Sequence, residues 1–209
     1  MSSPLSRSFY LKDIHILATR LLGCLFVREF EEGKRISGKI VELEVYTQKG
    51  DPSSHSFNGK TKRNEVMFEQ AGHLYVYFTY GIHYCCNIVC GPEGQGDAIL
   101  IRALEPVQGI EDMMNNRYGL ITHDNKKVLN LTNGPAKLCQ ALKIRKEENN
   151  IDLCGQNIWI EKGEEVPGSL IGCSTRIGIN QEKDLPWRYF IKNNSCVSKP
   201  GKGIKYFDR

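Results

Sequence analysis

The segment that most restricts the fold is residues 74–90, LYVYFTYGIHYCCNIVC, which is β-branched or aromatic almost throughout and is broken at Gly81. Such residues favour the pleated, half-buried surface of a strand, and a glycine in mid-run marks a turn. The run therefore reads as two strands joined tightly around Tyr80 and Gly81. It holds four of the nine tyrosines, Tyr75, Tyr77, Tyr80 and Tyr84. Alternation along a strand puts Tyr75 and Tyr77 on one face. Tyr80, immediately before the turn glycine, belongs to the tip, where its ring buries little. An aromatic side chain projecting from a hairpin tip can act as a wedge between stacked bases.

Helical and strand patterns alternate around this hairpin. Residues 9–23 place Leu11, Ile14, Ala18, Leu21 and Leu22 near helical spacing with Gly23 as a stop, which predicts one amphipathic helix. Residues 24–46 carry two apolar runs separated by Glu31, Glu32, Gly33 and Lys34, the pattern of a β-hairpin. Residues 47–64, TQKGDPSSHSFNGKTKRN, are polar and rich in turn formers. They form a long loop, and long loops inside compact domains are usually functional. A further strand is predicted over 98–104, a helix over 105–118 opened by Pro106, and another over 133–144 with Asn133 as cap and Pro135 in the first turn. From 157 to 206 short strand patterns alternate with Gly and Pro turns. No repeat or linker divides the chain. The expectation is an α+β fold, a single compact domain over 1–209 in which a curved, mostly antiparallel β-sheet is flanked by helices and a β-hairpin protrudes.

Composition excludes several classes. With 40% hydrophobic and 25% charged residues, the chain is neither disordered, collagen-like nor a coiled coil. No run approaches the ~20 apolar residues of a membrane span. Arg7, Lys12, Asp13 and Arg20 break any signal-peptide core, so a soluble intracellular protein with no membrane partner is expected. The eight cysteines, at 24, 85, 86, 90, 139, 154, 173 and 196, form no C-x2-C pair. Adjacent Cys85 and Cys86 would point to opposite faces of a strand. Free, mostly buried thiols are therefore expected, with no metal site.

The formal charge of +4 is by itself weak evidence for a polyanionic partner. Its distribution says more. Residues 1–110 carry twelve basic and twelve acidic side chains, so the excess lies in the second half. The last 27 residues hold Lys183, Arg188, Lys192, Lys199, Lys202, Lys205 and Arg209 against Asp184 and Asp208. A phosphate backbone is met by a local patch of this kind; a solvated terminus is the alternative.

Several residues stand out chemically. In ISGKIVELEVY, Glu42 and Glu44 share a strand face with Tyr46, and Val41, Leu43 and Val45 occupy the other. Exposed, the two carboxylates would be ordinary surface charges; covered, a carboxylate flanked by Tyr46 becomes a candidate base. Arg102 closes the apolar strand pattern AILIRALEP, where a buried guanidinium needs a partner, and Glu44 is available. Asn87 is a polar side chain inside an apolar strand, which implies hydrogen-bonding work. His55 lies in the long loop, where a lone histidine carries little information.

Taken in order, IVELEVYTQKGDPSSHS, TKRNEVMF, GHLYVYFTYGIHYCCNI, AILIRALEP and NGPAKLCQAL resemble the alkyladenine (3-methyladenine) DNA glycosylase family. The resemblance runs from about Leu17 to Val197 and Ser198. Its most specific parts are E-x-Y with a histidine nine residues past the tyrosine, the YVY-x-x-YG hairpin and GPAKLCQAL. It implies a monofunctional DNA glycosylase of base excision repair, without a cofactor, acting as a monomer on double-stranded DNA containing damaged purines. Such an enzyme would flip 3-methyladenine, 7-methylguanine, hypoxanthine or ethenoadenine out of the duplex and hydrolyse the N-glycosidic bond, leaving an abasic site.

By the same resemblance Tyr80 is the wedge, with Ile82 and His83 as minor-groove contacts; some members have methionine where Ile82 stands. The flipped base would lie between Tyr46 and Tyr77, with His55 completing the pocket. Asn87 would oppose the 2-amino group of normal guanine. Tyrosine faces would favour a positively charged methylpurine by ~0.5–2 kcal/mol. Glu44 would activate the attacking water and stabilise the oxocarbenium-like sugar, and Arg102 would help hold that water and the carboxylate. Lys60, Thr61, Lys62 and Arg63, with the basic tail, would contact phosphates without reading sequence. No lysine falls at a matching pocket position, so neither a Schiff base nor lyase activity is expected, and no general acid can be named. The YG-I-H tip and the lack of a basic targeting tract look closer to bacterial members, hence a cytoplasmic, nucleoid-associated protein; a eukaryotic member would be nuclear.

Two other classes compete. A non-catalytic nucleic-acid binding module with a tyrosine stacking platform accounts for Tyr75, Tyr77 and the basic tail, but it leaves Glu44 without a purpose, and GHLYVYFTY lacks the basic residue of an RNP1 pattern. A metal- or thiol-dependent enzyme would use the cysteines.

Overall fold

The computed structural model describes residues 3–31, 33–122, 124–199 and 203–207. Two short helices come first, α1 (Arg7–Tyr10) and α2 (Ile14–Leu21), where the periodicity predicts one. Asp13 divides them: its carboxylate accepts the amides of His15 and Ile16, capping α2, a stronger signal than the apolar spacing across it. Leu11, counted with the apolar face, is left exposed. The strands β1 (Leu25–Glu29) and β2 (Arg35–Tyr46) form the predicted hairpin. They are followed by the long loop, β3 (Leu74–Thr79), β4 (His83–Cys90) and β5 (Asp97–Gln108). Then come α3 (Ile110–Tyr118), α4 (Asn125–Leu129), α5 (Pro135–Ala141), β6 (Ile158–Glu161), β7 (Ile171–Ser174), β8 (Arg188–Ile191) and β9 (Tyr206–Phe207).

Two boundaries depart from expectation. The strand predicted to end at 104 continues to Gln108, and α3 starts after Gly109 rather than at Pro106. Beyond Leu100, β5 has lost β4 and pairs only with β2, and proline is tolerated in a strand that has an open edge. Gly109, at φ +71°, makes the turn into the helix. In α5, Gly134 rather than Asn133 is the cap. The Asn133 side chain is engaged elsewhere, accepting from Lys137 Nζ at 2.6 Å.

All pairings among the nine described strands are antiparallel, in the order β3-β4-β5-β2-β8-β7-β9, with β1 joining β2 and β6 joining β1. The length of β2 makes this possible. One edge pairs along β5, while the other gives Arg35–Lys39 to β1 and Glu42–Glu44 to β8. The fold is α+β. The helices pack on one sheet face through Leu17, Leu21, Met113 and Leu138, against Leu43, Val45, Ile88 and Ile101.

Residues of the long loop and of the helical turn Glu65–Phe68 that follows it cover the other face. Val66, Met67 and Phe68 pack on Tyr75, Val89 and Ala98. The loop can lie this close because Gly96 has no side chain: a Cβ there would meet Ser56 Cβ at 2.5 Å and Phe68 Cζ at 2.9 Å. No helix among the described residues is long and apolar enough to cross a membrane. All eight cysteines are free, and all but Cys154 are buried.

Register shifts interrupt the β2–β5 ladder between Ile40 and Glu42 and between Glu42 and Leu43. Bulges re-aim side chains and are common beside active sites. One consequence corrects the simple alternation. Val41, expected beside Leu43 and Val45, packs instead with Ala103 and Cys196 in a separate small cluster. Arg102 lies within the second irregularity, without a pairing partner in β2.

Candidate active site

Register builds the site. Tyr75 pairs with Asn87, Asn87 with Leu100, Leu100 with Glu44, and Glu44 with Arg188, one row across β3, β4, β5, β2 and β8. Paired residues share a face, so these residues point to the side that the long loop covers. Between that face and the loop lies a cavity of about 190 Å³, whose walls include Tyr46, His55, Tyr75, Tyr77, Tyr80 and Asn87. Tyr75 and Tyr77 are stacked, with ring centroids 5.6 Å apart at 23°. His55 meets Tyr77 edge-on at 4.5 Å, and its Nδ1 is 3.0 Å from the Tyr75 hydroxyl.

The walls are uncharged near neutral pH. Burial pushes the Tyr75 phenol up to about 12 and that of Tyr77 higher. Burial, followed by the adjacent Glu44 charge, raises Tyr46. Burial and then the Arg63 charge hold the His55 imidazole below its usual value. Asn87, buried, donates to the Tyr75 carbonyl at 3.3 Å and lines the cavity.

Glu44 is 0% exposed and sits one hydrogen bond behind the cavity wall. Its Oε2 accepts the Tyr46 hydroxyl at 2.9 Å and Arg102 Nη1 at 3.2 Å, and its Oε1 accepts the Ile177 amide at 2.7 Å. A carboxylate offers about four lone-pair positions; three are used, and the unused one is on Oε1. Glu42, equally buried, differs. Its Oε1 accepts Arg102 Nε at 3.0 Å, Arg188 Nε at 2.7 Å and Ser198 Oγ at 2.7 Å, and its Oε2 accepts the Ser198 amide at 2.7 Å. Arg102 thus bridges the two acids; burial works to lower its pKa, but the charges of Glu44 and then Glu42 outweigh burial and raise it.

Sequence reasoning missed Arg176, which is fully buried. It donates to both Asp51 oxygens, at 2.6 and 2.8 Å, and to the Val45 carbonyl at 3.0 Å. Its guanidinium lies 4.6 Å from the Tyr46 ring centroid and 5.1 Å from that of Trp187. One ion pair therefore backs the Tyr46 wall, anchors the loop that carries His55 and precedes the amide bound to Glu44. Asn64 is a second omission. Buried, it donates to the His55 carbonyl at 2.7 Å and to the Gly59 carbonyl at 3.0 Å. Neither lies in an apolar periodic run, the one sequence signal that would have marked a buried position.

At the hairpin tip Tyr80 and Gly81 both have positive φ, +52° and +70°, the backbone of a tight strand-joining turn. Holding a tyrosine there costs of order 1 kcal/mol or more, yet Tyr80 is 85% exposed, and Ile82 follows at 70%. His83 begins β4 with its Nδ1 buried and unpartnered among the described residues. Lys62 and Arg63 are exposed. Lys60 lies 3.6 Å from Glu69, and the Thr61 hydroxyl is spent on Asn64 Oδ1 at 3.0 Å. The tail is less of a patch than its composition implies. Arg188 is buried on Glu42, Lys205 pairs with Asp184 at 2.6 Å, and Lys202 and Arg209 lie outside the described residues.

A family model described as methylpurine-DNA glycosylase matches residues 8–195. A protein of Carboxydothermus hydrogenoformans, assigned as a 3-methyladenine DNA glycosylase, is 52% identical, covering 93% of this chain and 98% of its own. A similarly assigned protein of Clostridium acetobutylicum is 44% identical, covering 93% and 97%. One from Francisella tularensis is 45% identical over 87% and 92%.

Proposed function

The chain belongs to the methylpurine-DNA glycosylase family, DNA-repair hydrolases of N-glycosyl bonds, and on that footing we propose that residues 1–209 act as one monomeric domain that releases damaged purines through a water held by Glu44. The observation that carries the reading is the contrast between the acids. Glu42 has four protein donors, whereas Glu44 has three and lies directly behind Tyr46.

The damaged base, rotated out of the duplex at a cost of a few kcal/mol, would occupy the aromatic cavity against Tyr46 and Tyr77, with His55 and Asn87 at its edges. Neutral walls of high electron density favour a cationic 3-methyladenine or 7-methylguanine and do not repel hypoxanthine or ethenoadenine. Tyr80, exposed at its strained tip, would fill the vacated stack from the minor groove, with Ile82 and His83 beside it. Lys62 and Arg63 remain free enough to meet phosphates, with Lys60 and Thr61 adjacent. As the base departs the sugar becomes oxocarbenium-like; Glu44 would deprotonate the water on its far face, with Arg102 aligning the carboxylate. No lysine is among the described residues that line the cavity, and the reading is hydrolysis without a lyase step. The bacterial relatives fit a cytoplasmic enzyme working on the nucleoid.

Single-turnover excision from duplexes bearing 3-methyladenine, 7-methylguanine, hypoxanthine or ethenoadenine tests the reading. Glu44→Gln should bind lesion DNA while base release falls about 10²–10⁴-fold, the usual worth of a general base. The product should stay unnicked until alkali is added. Undiminished release by Glu44→Gln sinks the mechanism.

A further inference from the structure

We propose that the segment from Arg188 to Ser198 is a latch that sets Arg102, with Glu42 and Ser198 as positioning residues for base release. The inference rests on the reading of Glu44 as the water-activating acid. Three of the four bonds to Glu42 come from this segment: Arg188 Nε, Ser198 Oγ and the Ser198 amide, each at 2.7 Å. The fourth comes from Arg102 Nε. Arg102 reaches Glu44 only through Nη1, at 3.2 Å, a longer contact than its 3.0 Å bond to Glu42. Its guanidinium is thus aimed mainly by the acid that the segment holds.

The segment has independent means of staying in place. Arg188 also donates to Ser174 Oγ at 2.9 Å. Asn194 holds Glu105 Oε2 at 2.7 Å and accepts the Cys196 amide at 2.9 Å, while Cys196 packs on Val41 and Ala103. The consequence for chemistry follows from charge. Glu42 engages one edge of the Arg102 guanidinium and so prevents it from closing as a bidentate fork on Glu44, which would occupy the oxygen positions that water and Tyr46 require. Loosening Glu42 frees Arg102 to rotate onto Glu44. The hydrogen bonds that hold the latch, as given above, go to Glu42, Ser174 and Glu105 and not to the cavity wall, so the base cavity should keep its shape. Release should slow while lesion binding stays.

The test compares Ser198→Ala, Ser198→Thr and Glu44→Gln in the full chain. Ser198→Ala removes one of four bonds to Glu42 and keeps the amide, so the fold survives; an unchanged melting profile verifies that. We expect single-turnover release of hypoxanthine from duplex DNA to fall at least fivefold in Ser198→Ala, with the Kd for the same duplex within twofold of the parent. Ser198→Thr, which restores a hydroxyl, should recover the rate. A parental rate in Ser198→Ala, parallel losses of rate and affinity, or no recovery in Ser198→Thr overturns the latch while leaving Glu44 in its role. A fully active Glu44→Gln overturns both.

Discussion

Replacing Arg176 by methionine isolates what the Arg176–Asp51 pair does, because methionine keeps a stem that packs between Tyr46 and Trp187. The parent loses two charge-assisted bonds to Asp51 and one to the Val45 carbonyl. Asp51 is then a fully buried carboxylate left with the Ser53 amide at 3.1 Å and the Thr47 amide at 3.4 Å. Removing one partner of a buried ion pair costs about 3–5 kcal/mol. Arg176 Nε, however, has no partner among the described residues, and an unsatisfied buried donor already costs about 1–3 kcal/mol. Its removal recovers part of the loss, so the lower end, about 3 kcal/mol, is expected. For a chain of 209 residues each kcal/mol lowers the melting temperature by roughly 2–4 °C, giving about 6–12 °C.

Urea unfolding followed by tryptophan fluorescence reads this directly, since Trp187 sits on the pair. The decisive comparison is with Arg176→Met/Asp51→Asn, which removes the stranded charge. If charge desolvation dominates, the double variant is more stable than Arg176→Met by at least 1 kcal/mol, a strong departure from additivity. Additive losses, or an Arg176→Met protein within 1 kcal/mol of the parent at unchanged m-value, refute the claim that this pair holds the loop to the sheet.

Two further outcomes separate the wedge from the pocket. Tyr80→Ala removes a ring that is almost wholly exposed, so stability should change by no more than about 0.5 kcal/mol. Excision from duplex DNA should fall at least tenfold while excision from a single strand, where no stack needs filling, stays within twofold; equal losses on both substrates defeat the wedge. The His55 imidazole is held below its ordinary pKa by burial and Arg63, so the unfolded chain binds its proton first as the pH drops. Stability is therefore lost as pH falls from about 6.5 toward the folded value. His55→Gln should flatten the pH dependence of the urea midpoint between pH 7 and 5.5, and an unchanged slope would show that His55 contributes none of it.

The hairpin was legible because local chemistry determines it. A β-branched and aromatic run with one glycine leaves no alternative to strand, turn, strand, and Tyr80 falls at the tip whatever the rest of the chain does. The Tyr75–Tyr77 pair and the Arg102–Glu44 contact were legible for related reasons, the one from alternation and the other from the need of a buried guanidinium for a carboxylate. Helix boundaries were less so, because Asp13 and Gly109 act over one or two residues and override periodicities averaged over ten. Arg176, Asp51 and Asn64 were not legible. Each is a polar residue in an irregular segment, and burial there is decided by partners more than a hundred residues away for Arg176 and Asp51 and by loop carbonyls for Asn64. The basic tail misled in a similar way: Arg188 counts as a surface charge until β8 pairs with β2 and turns it onto Glu42.

The two acids of β2 show most clearly where sequence stops and structure begins. Glu42 and Glu44 have the same charge and apolar neighbours, and simple alternation gives them one face and one fate. Two register shifts beside Glu42 break that equivalence. They bring Arg102 between the acids and let the segment ending at Ser198 close over Glu42 alone, while the Ile177 amide and the Tyr46 hydroxyl reach Glu44. Four donors against three is a difference of one hydrogen bond, but the surroundings differ more: Glu42 is held by the segment ending at Ser198, whereas Glu44 stands one hydrogen bond behind the cavity wall at Tyr46. The bulge in the β2–β5 ladder is thus what gives two identical side chains different surroundings and, on the reading proposed above, different work. Any variant that restores regular pairing there should impair base release before it impairs folding.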